Sequence, residues 1–263
     1  MKYIKPLIAV VAFLGMFLMY LPSVAVGIFS VNDAIFGLAW RGFTLKWYER
    51  LFQNEYIIEA ALNTLIVATL STIIATVLGT ALAIGLYRSP WPASMQRFFD
   101  QVINLPVVVP DIIMAVALAL AFNVLRMVSK IFDMGMVTLI VAHVTFQISF
   151  VTLVVKSRLD SLGSDLDEAA FDLYATTFFR FRKVTLPLIF PGVVAGAMLA
   201  FTLSLDDFII SFFNHGPESI TLPIYVYAAI KRGLTPEIHA LSTVMLILTA
   251  IPVIVIERIT RKF

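Results

Sequence analysis

The amino-acid sequence predicts an all-α membrane protein that crosses the bilayer six times. Of the 263 residues, 60% are hydrophobic and 14% are charged, whereas soluble domains are about half apolar and about a quarter charged. The apolar residues are grouped in blocks of membrane-spanning length, which is about 20 residues for a helix. We therefore predict one transmembrane domain over residues 1–263, with spans at 6–29, 57–86, 102–125, 134–155, 188–213 and 239–256.

The first predicted span, Pro6–Phe29, follows two lysines, Lys2 and Lys5. A cleaved signal peptide is an alternative, because Ser23-Val24-Ala25 resembles a small-residue cleavage site. The apolar stretch is nevertheless long enough to cross the membrane by itself. We therefore predict an uncleaved first helix.

The segment between the first two spans is polar, and it carries apolar residues at helical spacing, namely Trp47, Tyr48, Leu51 and Phe52. Charged residues lie between them. This pattern suits a short helix that lies on the membrane surface. An ordinary loop is the alternative.

Two of the spans carry a small residue at every fourth position. These residues are Ala75, Gly79 and Ala83 in the second span, and Gly192, Gly196 and Ala200 in the fifth. Small side chains at this spacing let helix backbones approach closely. We therefore expect both stripes to pack against other helices rather than to contact a substrate.

The third and fourth spans contain residues that are unusual inside a membrane helix. Pro106 and Pro110 precede Asp111 in the third span, which predicts a kinked or interrupted helix. His143 lies in the middle of the fourth span, where we expect a satisfied polar residue rather than a ligand. Gln147 and Ser149 of the same span are candidate pore or interhelix groups.

Six spans place both termini on the same side of the membrane, and the basic residues indicate which side. The termini and the two loops on their side hold 12 of the 19 Lys and Arg, and the opposite side holds 7. Cytoplasmic segments carry the excess of Lys and Arg. We therefore predict cytoplasmic termini and a cytoplasmic loop at about residues 158–187.

This cytoplasmic loop contains two short helical patterns. Asp165 and Glu168 have the spacing of a capping box at the start of a helix. A second short helix starts at Thr176 or Thr177 in this interpretation. A helix–turn–helix with small and aromatic side chains is suited to docking in a groove of another protein, and a solvated loop is the alternative.

The run Glu168-Ala169-Ala170, followed downstream by Leu186-Pro187, resembles the EAA loop of ABC importer permeases, whose form is E-A-A-x3-G-x9-I-x-L-P. The resemblance implies a MetI-like ABC permease fold. It also implies that this loop forms a coupling helix that inserts into a cleft of a separate ATP-binding subunit. The coupling residues that it implies are Glu168, Ala169, Ala170, Leu173, Tyr174, Leu186 and Pro187.

One residue departs from the family's loop, because Tyr174 stands where the pattern has Gly. Gly permits a turn with positive φ, whereas a left-handed Tyr costs about 1 kcal/mol. We therefore expect the turn to be reshaped here while the docking role is kept.

Further stretches resemble the spermidine/putrescine permeases, and the C-type subunit most, namely GFTLKWYERLF, ALNTLIVA and LSLDDFIISFFNHGPESITLP. The resemblance implies a subunit of the bacterial inner membrane. The partners that it implies are a pair of ATP-binding subunits, a second permease subunit that forms a heterodimer with this one, and an extracytoplasmic solute-binding protein. Permeases for other small solutes share parts of these motifs, so another solute is an alternative.

Three acidic residues lie inside predicted spans, Asp111 in the third and both Asp206 and Asp207 in the fifth. An ionised Asp at mid-membrane costs about 2.5–3.5 kcal/mol, so such residues usually face a cavity. Adjacent residues of a helix point about 100° apart, so we expect one of the adjacent pair to face the pathway. Carboxylates suit the ammonium groups of a polyamine, and Phe208 and Tyr225 are candidates for cation–π contacts.

Other roles for these acids stay open. They are structural if Ser204, Asn63 or the backbone satisfies them. An ion-coupled secondary transporter would use Asp206 and Asp207 as a proton or sodium site. An intramembrane enzyme would need a nucleophile–base or metal arrangement, for which the sequence offers no convincing set.

Several features that the sequence lacks narrow the function further. It contains no Cys, which excludes disulfides and thiol chemistry, and no Gly-Lys pair, which excludes a Walker A phosphate loop. The His, Asp and Glu residues lack metal-ligand spacing, and a net charge of +2 does not favour a nucleic-acid partner. We predict a transport subunit that is not an enzyme and has no metal or cofactor of its own.

Overall fold

The computed structural model describes residues 4–34, 39–88, 91–162, 169, 172, 174–233 and 235–260. Within these ranges the regular structure is helical, apart from one isolated antiparallel bridge between Asn32 and Phe43. Three of the predicted coupling residues, Glu168, Ala170 and Leu173, lie outside the described residues. The all-α prediction is confirmed for the part of the chain that is described.

The helices follow one another with short connections. They are α1 (Ile4–Phe29), α2 (Lys46–Gln53), α3 (Glu55–Arg88), α4 (Ala93–Val108), α5 (Asp111–Leu125), a 3-10 turn (Lys130–Phe132), α6 (Met136–Leu162), α7 (Thr177–Arg180), a π-helical turn (Phe181–Thr185), α8 (Leu186–Leu205), α9 (Ile209–Asn214), α10 (Leu222–Arg232) and α11 (Pro236–Thr260).

Four helices within the described residues are long and apolar enough to cross a membrane, at Ile8–Phe29, Glu55–Tyr87, Met136–Leu162 and Thr177–Leu205. The pair α4 and α5 makes a fifth if its two members are one broken span. The sixth predicted span corresponds to a shorter apolar stretch at Pro236–Ile251. Length and composition therefore give four or five spans, one or two fewer than predicted.

The interruption predicted for the third span is confirmed. Helices α4 and α5 meet at an angle of 110°. Pro106 lies inside α4, and Pro110 stands immediately before α5. Pro has no backbone N–H and fixes its own φ, so it fits the position before the first turn of a new helix, where no intrahelical donor is required.

The fifth predicted span, 188–213, is wrong as a continuous helix. Helix α8 ends at Leu205 and α9 starts at Ile209. The break at residues 206–208 therefore carries both Asp206 and Asp207. The rule that adjacent helical residues point about 100° apart does not apply to them.

The chain divides into two compact units. The first comprises Met1–Ile58 with Tyr225–Leu248, and the second comprises Glu59–Ile224 with Thr249–Phe263.

In the first unit, Trp47 of α2 is 2% exposed and its indole nitrogen donates to the Asn32 carbonyl at 2.8 Å. The Lys46 Nζ lies 4.6 Å from the centroid of the Trp47 ring, and the Arg50 Cζ lies 5.2 Å from it. Of the two interpretations of this segment, the short helix is confirmed.

In the second unit, α6 lies against both small-residue stripes. A Cβ at Gly79 of α3 would come within 2.8 Å of the Val151 Cβ, and a Cβ at Gly192 of α8 within 2.8 Å of the Arg158 Cβ. Val151 also belongs to a buried cluster with Ala83 and Ala200. The packing role predicted for the two stripes is therefore confirmed.

Candidate functional site

The break between α8 and α9 is stabilised by the side chain of Asp207. Its carboxylate accepts hydrogen bonds from the backbone N–H groups of Ile210, at 3.3 Å, and Ser211, at 2.7 Å. These are unpaired donors of the first turn of α9, and a carboxylate is a preferred partner for them. Asp207 therefore lets the helix start again after the break.

His143 of α6 contacts residues on both sides of the same break. Its Nδ1 lies 2.7 Å from the Ser204 hydroxyl in the last turn of α8, and its Nε2 lies 3.0 Å from the Ser211 hydroxyl of α9. The Nε2 is also 3.5 Å from the Asp207 Oδ2. Because His143 is 0% exposed and both ring nitrogens have partners, the predicted satisfied polar residue is confirmed.

A cavity of about 410 Å³ opens beside the break. Its lining residues are Pro106, Asp111, Met114, Phe146, Phe150, Leu203, Asp206, Asp207, Phe208, Ile209 and Ile210. Asp111 and Asp206 are exposed, whereas the Asp207 side chain is 11% exposed. The lining thus combines three carboxylates with a wall of aliphatic and aromatic groups.

The charges of this cavity are of one sign, because its lining includes three acids and no Lys, Arg or His. Such a cavity attracts cations and repels anions. The apolar wall suits aliphatic parts of a ligand, and aromatic faces such as Phe208 attract a nearby ammonium group. The arrangement therefore fits a cation with a hydrocarbon chain.

The structure brings together four of the five residues predicted for the substrate pathway: Asp111, Asp206, Asp207 and Phe208. Tyr225 belongs to the other unit. Tyr225 lines a separate cavity of about 200 Å³, together with residues that include Arg232 and Glu237. Tyr225 therefore does not share the acidic cavity.

Three structural partners were possible for the acids, namely Ser204, Asn63 and the backbone, and only the backbone is found. Ser204 bonds to His143 rather than to a carboxylate. The Asn63 amide donates to the carbonyls of Glu218 and Ile220, each at 3.1 Å. The backbone does satisfy Asp207, through the N–H groups of α9.

His143 as the neighbour of Asp207 was missed at the level of sequence. The two residues are far apart in the chain, and no spacing rule connects the middle of one helix to the end of another. The sequence gives only a general signal for these contacts, because a His inside an apolar span needs hydrogen-bond partners for its two ring nitrogens. Serines on other spans can supply such hydrogen bonds, but nothing in the sequence selects Ser204 and Ser211 as the partners of His143.

Gln147 is an interhelix group, one of the two roles predicted for it. Its side-chain nitrogen donates to the Ala200 carbonyl of α8 at 3.0 Å. Its side-chain oxygen is buried without a hydrogen-bond partner in the described part of the chain. Ser149 is buried as well.

The described part of the predicted coupling loop contains one strained residue. Tyr174 has a φ of 56°, so the expectation of a reshaped turn is wrong at this residue. Tyr keeps the left-handed conformation that Gly would adopt more easily. The Tyr174 side chain is 96% exposed.

Of the other predicted coupling residues that are described, Ala169 is exposed and two lie at the start of α8. Leu186 is the first residue of α8, and Pro187 lies in its first turn. The π-helical turn Phe181–Thr185 joins α7 to α8. Pro is well suited to the first turn of a helix because its missing N–H has no partner to lose there.

Comparison with known proteins identifies the family. Residues 75–263 match the family described as "Binding-protein-dependent transport system inner membrane component". The chain belongs to this family. As a permease of binding-protein-dependent transport it is a transport subunit and a multi-pass membrane protein.

Two relatives cover nearly all of the permease. It is 38% identical over 244 residues to the spermidine/putrescine transport system permease protein PotC of Haemophilus influenzae, which covers 93% of this chain and 92% of the relative. It is 37% identical over 243 residues to the putrescine transport system permease protein PotI of Escherichia coli, which covers 90% and 84%. The predicted resemblance to the polyamine permease family is confirmed.

The permease fold is also shown by a solved structure. A bacterial ABC transporter involved in the import of the acidic polysaccharide alginate has a chain with a TM-score of 0.77 and 17% identity, covering 100% of this permease and 97% of that chain. Identity this low is evidence for the fold alone. The predicted ABC permease fold is therefore confirmed, while the substrate has to be argued from the site.

Among the described residues, no group of three or more His, Cys, Asp or Glu could hold a metal ion. Asp206 and Asp207 are adjacent, and Asp111 lies on the same cavity.

Proposed function

We propose that this permease is a transmembrane subunit of an ATP-binding-cassette importer and that it moves a polyamine, such as spermidine or putrescine, across the inner membrane. The observation that carries the proposal is the acidic, partly aromatic cavity beside the α8–α9 break. The names of the relatives, which refer to spermidine and putrescine, support the same substrate class.

The cavity matches the chemistry of a polyamine in two respects. A polyamine carries separated ammonium groups, and charge-assisted hydrogen bonds to carboxylates are among the strongest that a site can offer. Its methylene segments are apolar and suit walls such as Met114, Leu203 and Phe150. Asp111, Asp206, Asp207 and Phe208 form the proposed substrate pathway, and Tyr225 stays a prediction without a place in this cavity.

The membrane arrangement that we propose has six spans and cytoplasmic termini. The broken pair α4 and α5 would be one span, and α11 would be the sixth. The distribution of basic residues supports the orientation. It places the loop that contains Tyr174 in the cytoplasm, on the side where ATP is available.

The partners that we propose are a pair of ATP-binding subunits, a second permease subunit in a heterodimer with this one, and an extracytoplasmic solute-binding protein. The family description, which refers to binding-protein-dependent transport, supports the last of these. In this mechanism, closure of the ATPase pair on ATP moves the coupling loop. Leu186 and Pro187 at the start of α8 pass that movement to the span that ends at the acidic cavity.

Uptake by the assembled transporter tests the substrate. The transporter, with its ATPase and second permease subunit, is reconstituted in vesicles with the binding protein, and uptake of labelled spermidine and putrescine is measured. We expect Asp111→Asn and Asp206→Asn to reduce uptake while subunit assembly and ATP hydrolysis are kept. Glu59→Gln, on α3 and outside the cavity lining, is the control. Normal uptake in both cavity variants would remove the cavity from the pathway.

Crosslinking tests the coupling role of the loop. Single cysteines introduced at positions 168–173 have no competing thiols, because the chain contains no Cys. We expect them to form crosslinks to cysteines in the ATP-binding subunit that change in yield during turnover. Cysteines that never react with the ATPase would contradict the coupling role.

The alternatives make different predictions. A permease for another small solute would fail to transport polyamines in the reconstituted assay, and an ion-coupled transporter would accumulate solute as an isolated chain under an ion gradient. An intramembrane enzyme would need an accessible nucleophile. Ser204 and His143 are in contact, but both are buried and neither lines the cavity.

A further inference from the structure

We propose that His143 is a positioning residue that gives the two adjacent carboxylates different roles. It holds Asp207 in the cavity wall as the cap of α9, and it leaves Asp206, together with Asp111, to bind the ammonium groups of the cation. This inference rests on the proposed function, since it states which acids of the proposed pathway touch the substrate.

The His143 imidazole lies between the two ends of the break. His143 bonds to Ser204 before the break and to Ser211 after it. A side chain from a third helix therefore joins the two ends of the interrupted span. Serine hydroxyls donate or accept hydrogen bonds, so both ring nitrogens have partners, and a proton on Nε2 lets the ring face the Asp207 carboxylate.

Both carboxylate oxygens of Asp207 already accept hydrogen bonds. One oxygen accepts from the N–H of Ile210 and the other from the N–H of Ser211. The second oxygen also faces the His143 Nε2 at 3.5 Å. To turn toward a cation in the cavity, Asp207 would have to leave two donors of α9 unpaired, which is costly away from water.

The side chains of Asp206 and Asp111 are open to the cavity. Both residues are exposed and both belong to its lining. No ion pair with a basic side chain of the described residues involves either of them. They lie on different elements, the α8–α9 break and the first turn of α5, so they offer two separate places for two ammonium groups.

Protection against chemical modification tests this assignment on the wild-type transporter. A water-soluble carbodiimide with glycine ethyl ester modifies accessible carboxylates, and mass spectrometry of the assembled complex quantifies each site. We expect Asp206 and Asp111 to be modified, and spermidine to protect them, while Asp207 stays unmodified. Modification of Asp207 at the rate of Asp206, with protection by spermidine, would overturn the inference while leaving the proposed cavity intact. Failure of spermidine to protect any of the three acids would instead contradict the proposed function.

A double-mutant cycle tests the role of His143 itself. Asp206→Asn removes a charge-assisted contact, so we expect it to raise the KM for spermidine about tenfold or more, with a smaller effect on the maximal rate. In a His143→Ala background the break loses its bonds to Ser204 and Ser211 and the contact with Asp207. The first turn of α9 is then held less firmly and Asp207 turns toward the cavity more easily, so we expect the same change to raise the KM by about threefold or less. An independent structural role of His143 would give the same ratio in both backgrounds, and that result would overturn the inference.

A conservative variant keeps the cycle informative if His143→Ala does not assemble. His143→Gln carries an amide that can bond to Ser211 and lie beside Asp207. We expect Asp206→Asn to keep its large KM effect in the Gln background, and His143→Asn, whose side chain is one carbon shorter, to reduce it. Equal KM effects in the Gln and Asn backgrounds would count against positioning of Asp207 by this side chain.

Discussion

The two halves of α6 bind their neighbours in different ways. The half around His143 contacts the end of α8 and the start of α9 through hydrogen bonds. The half around Val151 contacts α3 and α8 through close packing, where a Cβ at Gly79 would overlap the Val151 side chain and one at Gly196 would lie 3.5 Å from its Cα. One helix thus combines a half whose His143 bonds across the α8–α9 break with a half that is close-packed against α3 and α8, where Thr152 also donates to the Gly79 carbonyl at 3.2 Å.

A common register with α8 runs through both halves. His143 pairs with Ser204, Gln147 pairs with Ala200, and Val151 faces Gly196. Each step of four residues along α6 meets a step of four in the opposite direction along α8. The two helices are therefore antiparallel neighbours. Their contact passes from hydrogen bonds at His143 and Gln147 to close packing at Gly196, and further along Arg158 donates to the Leu188 carbonyl at 3.2 Å.

The difference shows how a broken span is supported in this protein. Without water, an interrupted helix needs other partners for its free backbone groups, and the polar half of α6 lies where α8 ends. The close-packed half fixes the position of α6 through many small dispersion contacts, each of about 0.1–0.2 kcal/mol. Packing thus positions His143, and His143 in turn bonds to both sides of the break.

The largest expected effect comes from a large side chain in the close-packed half. We predict that Gly79→Leu destabilises the assembled transporter by about 3 kcal/mol or more, because even its Cβ has no space beside Val151. The measurement is thermal unfolding in detergent together with the yield of assembled complex. Gly85→Leu is the matched control, since it lies on the same helix and a Cβ there meets nothing within 4 Å.

If Gly79→Leu and Gly85→Leu were equally well tolerated, the packing of α3 against α6 would not determine the position of α6. A selective loss in Gly79→Leu would separate the close-packed half from ordinary lipid-facing positions on the same helix. Without a difference between the two variants, the half of α6 around Val151 could not be called close-packed.

A smaller effect is expected at the boundary between the halves, where Gln147 lies. We predict that Gln147→Met changes the unfolding free energy by about 1 kcal/mol or less. The change removes one hydrogen bond to Ala200 but also removes an unpaired buried oxygen, and these effects oppose each other. Thermal unfolding of the complex measures the change, with Thr145→Met at an exposed position of α6 as the control.

A loss of about 3 kcal/mol or more in Gln147→Met would contradict this account. It would mean that the Gln147 oxygen has a partner in the assembled transporter, such as a water or a group of another subunit. The polar half of α6 would then extend one helical turn further than the contacts of this chain indicate.

Sequence reasoning succeeded where a local pattern determines the structure. The four-residue spacing of Gly79 and Ala83 predicts close packing because each small residue acts at its own position. Pro110 predicts an interruption because it lacks a backbone donor. The family resemblance likewise rests on short local motifs, and the comparisons confirm it.

Sequence reasoning failed where a distant contact determines the structure. The stretch from Leu203 to Ile210 contains neither Pro nor Gly. Its one local signal for a break is the capping ability of Asp, and the same two acids also predict a substrate site. The break is supported by His143, which comes from another helix. Tyr225 lies in the other unit and lines a different cavity, so its cation–π role stays a prediction.

The smallest expected effect is at the far end of the close-packed half, where Lys156 pairs with Asp100 of α4 at 2.7 Å. Their side chains are 33% and 50% exposed, so solvent screens the pair, and such contacts are worth about 0–1 kcal/mol. We predict that Lys156→Met and Asp100→Asn, alone and together, change thermal unfolding only slightly and show little coupling in a double-mutant cycle. A coupling of about 2 kcal/mol or more would be too large for a screened pair and would mean that this end of α6 becomes buried in the assembled transporter. Weak coupling here, beside a strong response at Gly79, would show that close packing contributes more than this ion pair to the stability of this half of α6.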